Sequence, residues 1–185
     1  MACSFYCLGD KYMEWINVNE KYLDFLRAFE GRIPHTDYGT DKYKPFFGIL
    51  FETEDYYYIT QVSHAQPRHQ KMKKQPDFFK IYDSKQSLRL IAVVNLNYMF
   101  PIPKAEVSPF FKKDIDTYRT FKSETEKSKY IDLLDSEMKV INTMNLSDAA
   151  KDLYEKKYTF PYARVAQRCL DYKALEEQAQ KWKSE

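Results

Sequence analysis

The chain has 185 residues, 44% of them hydrophobic and 17% aromatic, and its formal net charge is only +2. That length suits one domain with a sizeable core, and no run of about 18 apolar residues is present to span a membrane. Near-neutral charge does not announce a nucleic-acid partner, so any such claim must rest on local patches. The segment Met1 to Asp10 lacks a basic stretch followed by an apolar one and does not read as a secretory signal. Cys3, Cys7 and Cys169 are too few for a disulfide framework, which points to a reducing cytoplasm. Cys3 and Cys7 offer half a metal site, but no second Cys/His pair stands at ligand spacing. Neither metal nor cofactor is expected.

Met13 to Val18 predicts a strand, and a helix follows from Asn19 or Glu20 to Phe29, with Tyr22, Leu23, Phe25, Leu26 and Phe29 at helical spacing. Gly31 and Pro34 close it, and residues 34–44 form a polar loop containing His35, a surface residue by its setting. Pro45 to Phe51 is short, apolar and rich in strand formers. Glu52 to Asp55 make a turn, and Tyr56 to Ser63 read as the hairpin partner. Phe78–Tyr82 and Leu88–Asn95 predict a second pair around the turn Ser84–Ser87, and Met99–Ile102 predicts a last strand.

After Pro109 the texture is helical. Tyr130, Leu133, Leu134, Met138 and Ile141 make one apolar stripe, and a second helix starts after Asn145 or Ser147. A third follows Pro161, with Val165, Cys169 and Tyr172 on one side and Ala166 and Leu170 beside them. The polar residues Gln178 to Glu185 are expected to fray. Two acid-rich stretches, around Asp132–Glu137 and Asp148–Glu155, make this part a poor candidate for a whole RNA surface. The expectation is a single α+β domain over 1–185: a curved antiparallel sheet or small barrel with one early helix over 13–110, flanked by helices, and a mostly helical part over 111–185.

From Tyr56 to Pro76 the chain contains no acid and offers Ser63, His64, Gln66, Arg68, His69, Lys71, Lys73 and Lys74. Such a stretch suits a polyanion, although bare charge of this kind is more often a solvated loop. The high tyrosine content fits either core packing or stacking faces for unpaired bases.

Four ordered motifs carry a resemblance. They are Lys21 to Leu26 with Ile33-Pro34; Lys44-Pro45-Phe46-Phe47-Gly48-Ile49-Leu50-Phe51; Tyr58-Ile59 followed by Val62 to His69; and Asn95-Leu96-Asn97-Tyr98-Met99-Phe100-Pro101-Ile102. Together they resemble the ToxN/AbiQ toxins of type III toxin–antitoxin systems, in the CptN branch. The family pattern is Lys-Arg/Pro-Phe-Ile-Gly-Ile, a Tyr-Leu strand, then Leu-Ser/Thr-Ser-Pro-Lys-Pro-Lys-His. The match runs from Met13 to Val107, and residues 1–12 precede the family's usual start. The resemblance implies a sheet related to the MazF/Kid toxins and metal-independent RNA cleavage to 2′,3′-cyclic phosphate and 5′-hydroxyl ends. It also implies an antitoxin of repeated pseudoknot RNA, cut by its own toxin, with cellular RNAs as the other substrates. Toxin and RNA would close head-to-tail into rings, commonly three of each, with no membrane involved.

Cleaving RNA without a metal needs a proton acceptor for the 2′-hydroxyl, charge on the phosphorane, and a donor for the leaving oxygen. The resemblance places Tyr22, Lys44 and Ser63 on matching family positions. His64 stands where a second Ser is usual and Gln66 where the family has Lys, a departure that removes a fixed charge. Histidine titrates closest to neutral pH, so His64 is expected to move the proton while Lys44 and Arg68 stabilise phosphate and Ser63 holds it. The arrangement this requires is Lys44, Ser63 and His64 converging beside a cationic loop. The plainer readings are a surface lysine for Lys44, a strand-end cap for Ser63, and a stacking or structural role for His64. For the whole chain the alternatives are an RNA-binding protein of the same fold with weak or no cleavage, or a protein-interaction domain built on the helices.

Overall fold

A computed structural model describes residues 12–183 apart from 37, 38, 40 and 41. Cys3 and Cys7, with their half metal site, lie outside the described residues.

The early helix α1 (Glu20–Phe29) forms where its periodicity requires. Asn19 caps it by accepting from the Lys21 N–H at 3.0 Å, Glu20 and Arg27 sit at the ends the helix dipole favours, and Tyr22, Leu23 and Leu26 face inward. Strand β1 (Ile16–Val18) is shorter than the predicted Met13–Val18 and pairs antiparallel with β8 (Val107–Pro109).

The run Pro45–Phe51 is not a strand, contrary to its composition. Phe46 makes one two-way bridge with Ile16, at 2.9 and 3.0 Å, and only β2 (Phe51–Glu52) enters a ladder. The cause is Gly48, whose φ of +111° turns the chain out of extended geometry. Phe46 and Phe47 are still fully buried, so this run contributes core volume rather than a ladder.

Tyr56–Ser63 also departs from expectation: one β-forming run serves two sheets. Its first half, β3 (Tyr56–Ile59), lies between β2 and β7 (Phe100–Pro103). Its second half, β4 (Val62–His64), pairs with β6 (Leu90–Asn95), which holds β5 (Phe78–Tyr82) on its other side. The described strands thus form three small antiparallel sheets that do not close, and the expected barrel is replaced by open sheets around one core.

Residues opposite one another on an antiparallel ladder share a face. Val62 and His64 therefore share a face with Ala92, Val94, Phe79 and Ile81, whereas Ser63 shares the other with Val93 and Lys80. The first face enters the main core. Over the second lies the short helix α2 (Pro67–Lys71), where Lys80 Nζ donates to Gln70 O at 2.8 Å and the His69 ring lies 5.9 Å from that of Phe78.

The helices α3 (Glu124–Ile141) and α4 (Leu146–Thr159) match the predicted stripe and the Asn145 start. The third predicted helix breaks in two, α5 (Arg164–Arg168) and α6 (Tyr172–Ala179). Leu170 N–H donates to Asn97 O at 3.0 Å, which draws the chain off the helical path, and Asp171 then caps α6 through the Ala174 N–H at 3.3 Å. Within the tail expected to fray, Trp182 is docked. Its Nε1–H donates to Glu106 Oε1 at 2.7 Å, and its ring meets Tyr22 edge-on at 5.5 Å. One core includes residues from Trp15 to Ala179, so the helical part and the sheets share their interior. Among the described residues no helix is long and apolar enough to cross a membrane.

A Cβ at position 48 would lie 3.1 Å from Met13 Cβ and 3.2 Å from Glu14 O, in a backbone conformation that L-residues resist. Gly48→Ala should therefore cost about 1–3 kcal/mol of stability, read as a lower urea midpoint. Gly31→Ala meets nothing within 4 Å and should change stability by no more than about 0.5 kcal/mol.

Candidate active site

The first turn of α1 sets the position of the loop that leads to Lys44. Glu20 accepts from the Thr36 N–H at 2.8 Å and from Thr36 Oγ1 at 2.6 Å, and its other oxygen lies 3.1 Å from His35 Nδ1. Thr36 O in turn accepts from the Lys44 N–H at 2.8 Å. Gln61, in the link between β3 and β4, holds the same loop from the opposite side. Its Nε2 donates to His35 O at 2.9 Å and to Lys44 O at 3.2 Å. A third fastening comes from α3, where the Tyr130 hydroxyl donates to Tyr43 O at 3.0 Å. The Lys44 backbone is thus tied to the link that leads into the strand carrying Ser63 and His64.

Strand alternation divides those last two. Ser63 is half-buried on the α2 side of β4, and His64 is exposed on the core side. Ser63 and His64 thus lie on opposite faces of β4, the end strand of its sheet among the described residues. Lys44 is half-buried and directed inward. Burial lowers its affinity for a proton, and Glu137 of α3, its charge partner, raises it. Burial pushes the Glu137 carboxyl up to about 7, and Lys44 pulls it down. In sequence Glu137 belongs to the same acid-rich stretch as Asp132 and Asp135; those two are exposed, and it is not. The signal that distinguishes it is its place between Leu134 and Ile141, on the buried stripe.

Tyr22 does not join the site. Fully buried, it donates its hydroxyl to Pro101 O at 2.8 Å, and burial first, then Tyr56 and Glu106, pushes the phenol far above the ordinary tyrosine range. Its helical position faces β7, so it supports the sheet and touches no solvent. His69, expected on the RNA side, is likewise buried. Its Nδ1 accepts from the Gln66 N–H at 3.0 Å, and its backbone N–H donates to Gln66 O at 2.8 Å, closing the start of α2. Burial chiefly, with Arg68 and Lys80, lowers its affinity for a proton.

Gln66, Arg68, Lys71, Lys73 and Lys74 are exposed, as a polyanion contact requires. Their loop is fastened at both ends, by the Gln66–His69 pair and by the two-pronged ion pair of Arg168 with buried Asp77, at 2.7 and 3.1 Å. Glu20, Asp24 and His35 bring possible metal-ligating atoms within 4.8 Å of one another. The Arg27 guanidinium already lies among them, 3.2 Å from Glu20 and in contact with Asp24, and supplies the positive charge.

The family model described as toxin ToxN of type III toxin–antitoxin systems matches residues 14–180. Among curated proteins, the endoribonuclease ToxN of Pectobacterium atrosepticum is 26% identical over 98 residues, which span 52% of this chain and 57% of that relative's length. Two solved structures are similar in fold. One, from work on a processed non-coding RNA that regulates a bacterial antiviral system, has a TM-score of 0.72 at 18% identity, covering 93% of this chain and all (100%) of that one. The other, AbiQ, a lactococcal anti-phage endoribonuclease of a type III toxin–antitoxin system, has a TM-score of 0.72 at 16% identity, covering 92% and 97%.

Because the folded state disfavours the protonated His69 ring, the unfolded chain binds the extra proton. Its contribution to stability is complete above the unfolded histidine range and is lost as pH falls. Denaturant midpoints should drop between about pH 7 and pH 5, and less steeply in His69→Gln. Equal slopes in the two proteins would remove the capping role.

Proposed function

The chain belongs to the ToxN family of type III toxins, and on that premise we propose that it is an endoribonuclease restrained by a folded RNA. Two observations support the reading: the Gln61 bridge ties the Lys44 backbone to the link that leads into β4, and the loop after His64 is exposed with four cations and no acid. A single RNA strand laid along the loop brings one phosphodiester to β4.

In the proposed reaction the 2′-oxygen attacks the adjacent phosphorus, the bond to the 5′-oxygen breaks, and the products are a 2′,3′-cyclic phosphate and a 5′-hydroxyl. His64, exposed and unencumbered by the core, accepts the 2′-proton or returns one to the leaving oxygen. Ser63 donates a hydrogen bond to a phosphate oxygen, and Lys44 and Arg68 offset the charge that grows on the phosphorane. No step calls for a metal. Gln66 occupies the place of a family lysine, so more of the electrostatic work falls to Lys44 and Arg68. Lys71, Lys73 and Lys74 hold backbone phosphates and set register rather than sequence.

The partner in this reading is a repeated pseudoknot RNA, cut by the protein into units that inhibit it and assembled head-to-tail with it into a closed ring; cellular RNAs are the other substrates, in the cytoplasm. The common core from Trp15 to Ala179 supports treating the chain as one domain.

Purified protein incubated with repeat-containing RNA should yield ends bearing cyclic phosphate and 5′-hydroxyl groups, mapped by phosphatase- and kinase-dependent ligation. His64→Ala should slow cleavage by about 10²–10⁴-fold while RNA binding persists. Undiminished cleavage in that variant removes His64 from the chemistry, and binding without cleavage in the wild-type protein would favour the RNA-binding alternative. Lys73→Ala and Lys74→Ala should each weaken binding across all sequences and reduce the slope of log Kd against log salt by about one.

A further inference from the structure

The acid-free loop ends against a helix. After Lys74 the chain turns through Gln75 and Pro76 into β5, and the Phe78 N–H donates to Gln75 O at 3.2 Å, closing that turn. Asp77 is fixed there on two sides. The Leu96 N–H donates to its carbonyl at 2.9 Å, and Arg168 of α5 grips its carboxylate at 2.7 and 3.1 Å. The segment that carries Lys74 into the fold is therefore held in place before any ligand arrives. Across from it runs α4, whose residues Ala149, Asp152, Leu153 and Lys156 recur at three- and four-residue spacing and so share one side of the helix.

Between the two lies a cavity of about 410 Å³, within the range of clefts that accept small ligands. Its floor is apolar, made by Phe79, Leu153 and Ala149, with Pro76 on the loop side. Its mouth is polar, with exposed Lys74 and Gln75 on one side and Asp152 and Lys156 on the other. Phe79 is the telling member. Strand register places it opposite Val94, on the face of β5 that enters the core, yet it is only half-buried. β5 is the end strand of its sheet among the described residues, and the cavity lies against it. Among the described residues no aromatic ring packs on Phe79, whereas Phe78 beside it faces His69 at 5.9 Å.

An apolar slot with an aromatic wall and cations at its mouth fits an unpaired nucleobase whose phosphate stays outside. In a polynucleotide each base hangs from the sugar next to its phosphate. A strand whose phosphate is held by Lys73 or Lys74 therefore carries a base past the opening. We propose that the cavity between β5 and α4 is a base pocket: one unpaired nucleobase of the RNA strand on the loop enters it and stacks on Phe79, while Lys74 and Lys156 hold the phosphates beside it. The inference deepens the reading of the chain as an RNA-cutting protein and rests on that reading for the identity of its ligand. It brings α4 to the RNA, although the stretch Asp148–Glu155 reads in sequence as a poor RNA surface. Of the three acids in that stretch only Asp152 lines the cavity, and Lys156 offsets its charge at 3.4 Å. The loop lysines alone hold phosphates in any register. A pocket that takes one base stops the strand from sliding and so sets which bond is presented for cleavage.

The probe is a short unstructured oligonucleotide with 2′-O-methyl sugars, which lacks the attacking hydroxyl and cannot be cut. Phe79→Leu should bind it about tenfold more weakly, the loss expected of one base–aromatic stack. The slope of log Kd against log salt should stay unchanged, because no charge is removed. Replacing the nucleotides one at a time by an abasic sugar should reveal one position at which the losses do not add, so that wild type and Phe79→Leu bind that oligonucleotide equally. 2-Aminopurine placed there should be quenched on binding wild type and not on binding Phe79→Leu. Ala149→Met, which fills the cavity from α4 and removes no cation, should reproduce the tenfold loss and serves if Phe79→Leu does not fold. Additive losses at every position overturn the proposal, as does wild-type affinity in a folded Phe79→Leu or Ala149→Met. A wild-type dimer that Ala149→Met dissociates at unchanged RNA affinity gives the cavity to a second copy instead, and overturns it too. Additive losses in a protein that cuts unmodified RNA leave the nuclease reading standing, and coupled losses in a protein that cuts none overturn that reading and leave the pocket.

Discussion

Everything at the candidate site depends on one run of chain being divided between two sheets. Tyr56–Ile59 is committed to β7, and Val62–His64 to β6, so the intervening Thr60 and Gln61 must turn the backbone from one ladder into the other. The turn is held by side chains: Thr60 Oγ1 lies 3.3 Å from Asn95 O, and Gln61 reaches two carbonyls of the loop that carries Lys44. A continuous strand would have kept Gln61 within a ladder and left that loop without its inner support. Dividing the strand ties down the Lys44 backbone and leaves β4 at the end of its sheet among the described residues.

The helical half stabilises this arrangement with polar contacts as well as apolar area. Tyr58 and Tyr154 both donate to Glu176 Oε1, at 2.5 and 3.2 Å, joining β3 to α4 and α6. Glu106 accepts from Asn19 at 2.6 Å and from Trp182 at 2.7 Å. Arg168 holds Asp77 at the start of β5. Asp77 and Glu106 are buried and each has its donors; deleting a partner at such a site typically costs about 3–5 kcal/mol. These pairs fix one packing of helices on sheets where apolar contact alone would permit several.

Much of this is legible in the sequence where a single local preference decides the outcome. The bounds of α1 and β5 follow from periodicity and caps, and the motifs from Lys21 to Ile102 carry the family. What escapes is set by tertiary contact. Nothing in Tyr56 to Ser63 signals a break, since every residue there suits a strand; the break exists because two ladders compete for it. Pro45–Phe51 has the composition of a strand, but Gly48 at its centre has a φ of +111°, outside extended geometry. A motif match identifies residue type but not depth, and so brings Tyr22 into the expected site although α1 turns it into the core. Depth also separates Glu137 from Asp132 and Asp135, three acids alike in sequence and unlike in environment.

The distance along the chain between Tyr58 and Glu176, 118 residues, has a consequence for synthesis. Domains fold as their residues leave the ribosome, N-terminal portions first. A nascent chain that has emerged only as far as α5 lacks Glu176 and Trp182, so neither the Tyr58–Glu176 nor the Glu106–Trp182 contact can yet form.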